Sequence, residues 1–583
     1  MTAPGIDALR HAARDDQAQL ATADPPFAVI ACPGAGKTRL IVDRHLHRSV
    51  PGRQGRAIAS FTRVAAAEIH RRCASAVRLE LVEHPHFIGT LDTFIWLHLV
   101  RPFLTDGTRW QRLESWRDAP ASRREFVCGQ KRYQLSDVNF AYDPVTGTWS
   151  GRPTGAAAWQ PRPPGWEHAA LATRRNLAAD GYLTGDELRE RACRNLATQG
   201  PRLVALLAAK YAELIVDEAQ DCSTVDLQIL DRLHRRGLPL ILVADPDQAI
   251  YGFRGGSTTD LATLVTTLGP RTITSNWRST TNICRAAATL RLGPPRPADT
   301  ALGDHHAENT PILLYAEQRS RRDTTAIDFL TYANQKLDIP TSDCMIIAHA
   351  RGGLPKGYAG PAAPPESKTA ALAWAVGTLT EFPHVSAKIR DSARDTLLRS
   401  ILRWWYPDAD RQTPAETLTI HGLDPSSVDR LLHRALAAMP DLDQPAAAWA
   451  AAASQVLTSH PPTPAATRAG TRLTLTGTKN ARSAAGLPTS VPQAGTPRLS
   501  TIHQVKGEAA DAVLVYVPDT VLGTTTLDAW RSGRATGTTA EAVRVLYVAA
   551  TRARRLLGFS LPADQRQPIA DHLHRHGVAV ELR

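Results

Sequence analysis

Three stretches of this chain place phosphate-binding and proton-handling side chains at the ends of apolar runs. The first is Phe27-Ala-Val-Ile-Ala-Cys-Pro-Gly-Ala-Gly-Lys-Thr38. An apolar run enters Pro33-Gly34-Ala35-Gly36, and a helical pattern (Leu40, Ile41, Val42) begins at Lys37. In a strand, small-residue loop and helix, backbone N–H groups close around a β-phosphate. The lysine reaches the β/γ oxygens, and the next hydroxyl takes a Mg²⁺ position. Ala31 stands where this pattern usually has its first glycine, so a turn that binds nothing is the rival reading.

The second stretch is Leu214-Ile-Val-Asp-Glu-Ala-Gln-Asp221. A strand ending in adjacent carboxylates suits a Walker-B strand, with Asp217 holding Mg²⁺ and Glu218 orienting or deprotonating an attacking water. The rival is a strand capped by solvated acids. The third is Val243-Ala-Asp-Pro-Asp-Gln-Ala-Ile-Tyr-Gly-Phe-Arg-Gly255. Gln248 is placed to sense a γ-phosphate. Tyr251 and Phe253 are two apart and share a side in extended chain, and with Arg254 they form a stacking platform for single-stranded bases. A local aromatic core is the alternative for Tyr251.

The elements that position these groups alternate between strand and helix. A helix over 6–20 carries Gln17 just before the loop, where it can read an adenine edge. Strands are expected at 56–61, 87–94, 213–217 and 238–245, with a helix over 64–73, which indicates a doubly wound parallel sheet. The pattern restarts over 271–356 and again after 497, ending in a helix over 543–555. Two interruptions differ in character: a Trp-, Arg- and Pro-rich segment read as mostly helical, and a segment helical over 367–455 that turns Pro/Thr/Ala-rich and flexible near 456–497. The expected plan is thus α/β. Residues 1–100 and 201–270 form one parallel-sheet domain interrupted by 101–200. Residues 271–356 and 497–583 form another, interrupted by 357–496.

Composition narrows the class. A net charge of +12 over 583 residues favours a polyanionic partner. Seven scattered cysteines without a Cys-x-x-Cys pair argue against a disulfide framework, zinc ribbon or four-cysteine iron–sulfur cluster. Without a signal layout or an 18-residue apolar run, the expectation is a soluble cytoplasmic protein with no membrane partner.

Taken together, these stretches resemble the motifs of superfamily 1 DNA helicases of the UvrD/Rep/PcrA type. Further segments match in order: Ser60-Phe-Thr-Arg-Val-Ala-Ala66; Gly89-Thr-Leu-Asp-Thr-Phe94, with Asp92 replacing the usual His; Asn276-Trp-Arg-Ser279; Thr501-Ile-His-Gln-Val-Lys-Gly507; and Leu546-Tyr-Val-Ala-Ala-Thr-Arg-Ala-Arg554. The resemblance implies two RecA-like domains, 1A and 2A, each carrying a mainly helical insertion, 1B and a reduced 2B. It implies ATP and Mg²⁺ as cofactors, with Arg278 and Arg552 reaching the γ-phosphate from the second domain. Arg39 and Trp277 would border the adenine, and Phe61, Thr90, Arg254 and His503 would touch DNA. Where the family reads Lys-Gly-Leu-Glu-Phe-Asp, this chain reads Lys506-Gly-Glu-Ala-Ala-Asp511. The ribose-contacting acid is therefore displaced to Glu508 or absent.

The leading expectation is an ATP-dependent motor that moves on single-stranded DNA and unwinds duplex at single/double-strand junctions, in the 3′ to 5′ direction that the resemblance alone implies. The second is a nucleotide-dependent regulatory or interaction subunit serving a partner nuclease in a repair or phage-defence complex, since the stretch after Arg554 is too short for a nuclease site.

Overall fold

The computed structural model describes residues 5–75, 81–105, 108–113, 116–120, 123–154, 162–250, 258–294, 296–318, 321–355, 367–380, 387–410, 412, 414–442, 444–464, 466–469, 473 and 497–583. Two six-stranded sheets dominate it, and every strand pairing within each is parallel.

The first sheet runs in the order Pro270–Ile273, Phe27–Ala31, Leu240–Ala244, Tyr211–Asp217, Gly55–Ser60, Phe87–Thr90. Gly55–Ser60 and Leu240–Ala244 are buried at every position, as expected for parallel strands covered on both faces. Alternate side chains enter two cores. Ala57, Ala59, Leu214, Val216 and Leu242 face one, while Val29, Ile58, Ile215 and Val243 face the other beside the helix Lys37–His47. The second sheet runs Arg498–Thr501, Cys344–Ala348, Ala510–Tyr516, Ala553–Leu561, Ile312–Ala316, Val580–Leu582.

Four boundaries differ from the sequence reading. Residues 271–273 do not begin the second sheet: Pro270–Ile273 pairs with Phe27–Ala31 as an edge strand of the first. The break set at residue 200 falls inside one helix, Gly185–Lys210, whose Leu188, Leu196, Val204 and Leu207 all pack in the first core. Pro201 lies within that helix and does not end it, although proline usually breaks a helix interior. The first insertion is mixed, not mostly helical. It holds two antiparallel hairpins, Glu125–Cys128 with Lys131–Gln134 and Val138–Asp143 with Thr148–Pro153, packed on the helix Trp166–Ala179 around Phe126, Phe140 and Trp166. Finally, the helix read over 543–555 stops at Ala550, and Ala553 already begins a strand.

The second insertion is helical where described. Five helices, from Lys368–Thr380 to Ala446–Ser459, enclose their own core around Trp374, Trp404, Trp405 and Trp449. Most of the Pro/Thr/Ala-rich stretch, 474–496, lies outside the described residues. Among the described residues no helix is long and apolar enough to cross a membrane. All seven cysteines are buried free thiols.

Candidate nucleotide site

The strands Phe27–Ala31, Tyr211–Asp217 and Leu240–Ala244 are neighbours, so their carboxyl ends deliver Lys37, Asp217, Glu218 and Gln248 to one edge of the sheet. That edge is where open α/β sheets bind ligands. The loop turns because Gly34 and Gly36 adopt φ of +77° and +82°, a region that L side chains avoid. Gly34 is needed for a second reason. A Cβ there would lie 2.6 Å from Arg278 Cβ and 2.8 Å from Asn276 Oδ1, so the loop packs directly on the segment Asn276–Arg278. Trp277 N–H donates to Gly34 O at 3.0 Å.

Charges converge here at buried and half-buried positions. Burial alone would lower the Lys37 ammonium, but Glu218, Asp245 and Asp217 outweigh it and hold Lys37 above its ordinary value. Burial, then the neighbouring Glu218, pushes Asp217 up. Burial would also raise Glu218, but Lys37, Lys506, a hydrogen bond from Gln220 and Arg552 together hold it down, so it stays ionised. Glu218 is one of two non-glycine residues at positive φ among the described residues. Strain of that kind persists where the surroundings over-determine the backbone. Its partners do so: its N–H donates to Asp217 Oδ1 at 2.9 Å, and its Oε2 accepts from Gln220.

The second sheet domain closes the site. Arg552 sits in the turn between Gly537–Ala550 and Ala553–Leu561 and is buried. It donates to Val548 O at 2.9 Å, Glu508 O at 3.0 Å and Gln248 Oε1 at 3.2 Å. Arg278 donates to Thr551 O at 3.0 Å. Burial, with the neighbouring Arg552, lowers Arg278 to about 9. Burial likewise lowers Arg552 to about 10, against the pull of Glu218 and Asp245. Two cations held this way, at the expense of desolvation, are poised for added negative charge.

The donor set suits a Mg²⁺ carried in with phosphates, which needs only one or two protein oxygens. Thr38 and Asp217 supply a hydroxyl and a carboxylate. Ser60, paired with Asp217 across the sheet, is fully buried, and its Oγ has no hydrogen-bond partner among the described residues. An orphaned hydroxyl beside the Asp217 carboxylate fits a water shell around such an ion.

Other expected residues are placed as follows. Gln17 Nε2 donates to Ala35 O at 2.5 Å, touching the loop itself. Pro33 lies in the loop turn, and Ala31 ends its strand. Trp277 is half-buried, with the Arg14 guanidinium 5.4 Å from its ring centroid. Arg39 is exposed and pairs with Asp43 at 3.4 Å. The Glu508 carboxylate is paired with Arg498, while its carbonyl meets Arg552. Phe61 follows Gly55–Ser60 and Thr90 ends the adjacent strand, so both lie at the same sheet edge. His503, on the short turn Ile502–Val505, meets the His349 ring edge-on at 5.6 Å. Tyr251, Phe253 and Arg254 lie outside the described residues.

Sequence reading passed over two residues here. Asp221 accepts from Lys506 Nζ at 2.5 and 2.7 Å, and Lys506 also donates to Gln248 O at 3.0 Å. Asp245 accepts from Gln248 Nε2 at 3.0 Å. The signal for both was present, since each is an acid in the turn that follows an apolar strand. What the sequence could not supply was the partner.

Residues 13–120 and 160–266 match the UvrD/REP helicase N-terminal domain. The unmatched stretch between them contains both hairpins of the first insertion. The ATP-dependent DNA helicase PcrA of Leuconostoc citreum is 26% identical over 334 residues, 54% of this chain and 42% of that protein. RecBCD enzyme subunit RecB of Mycolicibacterium smegmatis is 33% identical over 120 residues, 20% of this chain and 11% of that protein. DNA helicase II of Escherichia coli is 29% identical over 159 residues, 26% of this chain and 21% of that protein. The chain thus spans less than half the length of these curated relatives.

Proposed function

Proceeding from its place among the UvrD-like superfamily 1 helicases, we propose that this chain is an ATP-dependent DNA helicase and single-stranded DNA translocase. It hydrolyses ATP in the cleft between its two sheets and moves 3′ to 5′. The observation that supports this most is the meeting of two half-sites: Gly34 packed on Arg278, and Gln248 bonded to Arg552.

In this reading Lys37 and the loop N–H groups seat the β- and γ-phosphates. Thr38 and Asp217 would hold the Mg²⁺, which when bound would offset the negative charge of the phosphates. Glu218, held ionised, orients a water in line with the γ-phosphorus and takes its proton as the new P–O bond forms. The bond to the β-phosphate oxygen breaks, leaving ADP and phosphate. Because charge at the γ-phosphoryl is spread over its oxygens and bonding to the nucleophile is loose, orientation matters more than strong basicity. Arg278 and Arg552 stabilise that charge, and Gln248 links it to the turn beneath. Gln17, Arg39 and Trp277 border the base, and Glu508 lies on the ribose side.

Hydrolysis then depends on closure, because both arginines belong to the second domain. Phe61, Thr90, Tyr251, Phe253, Arg254 and His503 are the DNA-side contacts, and each opening and closing shifts one sheet along the strand relative to the other. Unwinding of 3′-tailed against 5′-tailed duplexes tests the polarity, and unwinding from 5′ tails alone would refute it.

The 120-residue similarity to RecB, a subunit of the RecBCD enzyme, favours a second reading: a nucleotide-driven subunit of a nuclease-containing repair or phage-defence complex. An ATPase that appears only when a partner nuclease is added would support it over the first.

A further inference from the structure

A second set of cations crosses the cleft and grips the turn Pro246–Gln248 from the side of Asp247. Arg296 Nη2 donates to both carboxylate oxygens of Asp247, at 2.7 and 2.8 Å. Arg291 approaches the same carboxylate, with Nε 3.6 Å from Asp247 Oδ2. The rest of the Arg291 guanidinium is fixed within the second domain. Nη2 donates to Asp299 Oδ2 at 2.5 Å and to the Tyr547 hydroxyl at 3.4 Å, and Nη1 donates to Pro297 O at 3.1 Å. Only Nε is left buried without a hydrogen bond among the described residues.

A buried N–H without an acceptor is unfavourable. An N···O separation of 3.6 Å is a few tenths of an ångström beyond hydrogen-bonding range. Approach of the two domains by that amount supplies the missing bond. Asp247 moves little by itself: its N–H donates to Asp245 Oδ1 at 3.2 Å, and the next residue is Gln248. The carboxylate is thus coupled to the residue that meets Arg552.

We propose that Asp247 is the seat of a clasp, gripped by Arg296 and then by Arg291 as the cleft closes, which sets how far Arg278 and Arg552 advance on the nucleotide. Arg291 and Arg296 are positioning residues in this scheme, which rests on the cleft being the ATP site.

The test uses the full chain with one label on each sheet domain. Interdomain distance is read without nucleotide and with a nonhydrolysable ATP analogue, alongside steady-state ATPase. Arg296 is 45% exposed and Asp247 15%, so the pair is partly screened. Arg296→Ala and Asp247→Asn should each raise KM for ATP roughly twofold to fivefold and lengthen the analogue-bound distance. Arg296→Lys should restore most of the effect, and the Arg296→Ala/Asp247→Asn double variant should be no worse than Asp247→Asn alone. Additive effects in the double variant, or distances unchanged in both single variants, would overturn the clasp. No ATP hydrolysis by the unmutated protein, with the domains of the Asp247→Asn variant still farther apart than its own, would overturn the proposed function while leaving the Asp247 contact as what holds the two domains together.

Discussion

Arg552 of the second sheet domain donates through Nη2 to Gln248 Oε1 of the first, at 3.2 Å, while its other nitrogens bond to the carbonyls of Val548 and Glu508. One guanidinium therefore spans the turn that carries it and the cleft it faces. Lysine has the charge but not the fork. Arg552→Lys should lower kcat for ATP by about 10³ with a much smaller change in KM, measured by steady-state hydrolysis. A loss confined to KM would place Arg552 in ground-state binding instead.

A buried cluster at the opposite end of the same central strand makes a stability prediction. Glu213 accepts from Arg44 at 2.6 and 2.8 Å and from Arg56 at 2.5 Å, and all three side chains are almost fully buried. Glu213→Gln leaves two guanidinium charges without a counterion and should cost about 3–5 kcal/mol in denaturant unfolding. An effect under 1 kcal/mol would mean that water reaches the pair.

The Asp92 substitution in the Gly89–Phe94 segment gives a contrast within one network. Arg189 donates to Asp92 Oδ1 at 2.9 Å and to the Asp226 carboxylate at 2.8 and 3.1 Å. Asp92 is 45% exposed and Asp226 1%. Arg189→Met should therefore cost several kilocalories, about 3–5 kcal/mol, while Asp92→Asn should cost under about 1 kcal/mol. Equal losses in thermal or denaturant unfolding would show that the two acids are not separated by exposure as the structure has them.

Acidity at the site has a definite sign. Burial raises Asp217 and Asp245 and brings Asp221 up to about 6, with Lys506 opposing the last. Raised carboxylates hold protons more tightly in the folded chain than in the unfolded one. Their contribution to stability is full below the ordinary aspartate value of 3.8 and is lost as pH rises through about 6 for Asp221 and Asp245 and about 7 for Asp217. In the proposed role Asp217 holds Mg²⁺ only when ionised, so kcat/KM for ATP should fall on the acid side at a pH well above ordinary carboxylate values. Raising Mg²⁺ should move that limb to lower pH, because metal and proton compete. A pH profile flat down to pH 5, or a limb insensitive to Mg²⁺, would contradict this.

Much of this was legible in the sequence, for a local reason. Strand ends and the glycine loop are encoded by runs such as Ile30–Lys37 and Val216–Asp221, where apolar periodicity stops at a charge. The parallel sheets followed from that alternation. Three kinds of feature were not legible. Pro201 reads as a breaker, but the helix around it is held by Leu196, Val204 and Leu207 in the first core, so tertiary packing overrides local preference. The hairpin Glu125–Gln134 is too short to show a period, and the alternation of Val138, Phe140 and Tyr142 with exposed Asn139, Ala141 and Asp143 spans one strand only, amid a Trp-, Arg- and Pro-rich segment. Pairs such as Lys506 with Asp221 and Arg296 with Asp247 join residues hundreds of positions or a whole sheet apart, which only the fold brings together.

The proposed motor is tested most directly by ATP hydrolysis measured with and without single-stranded DNA, in the unmutated chain and in Lys37→Ala and Glu218→Gln variants. It predicts hydrolysis that rises severalfold with single-stranded DNA, is lost in both variants, and declines with added salt as phosphate contacts release counterions. Hydrolysis indifferent to DNA, or surviving Glu218→Gln, would contradict it.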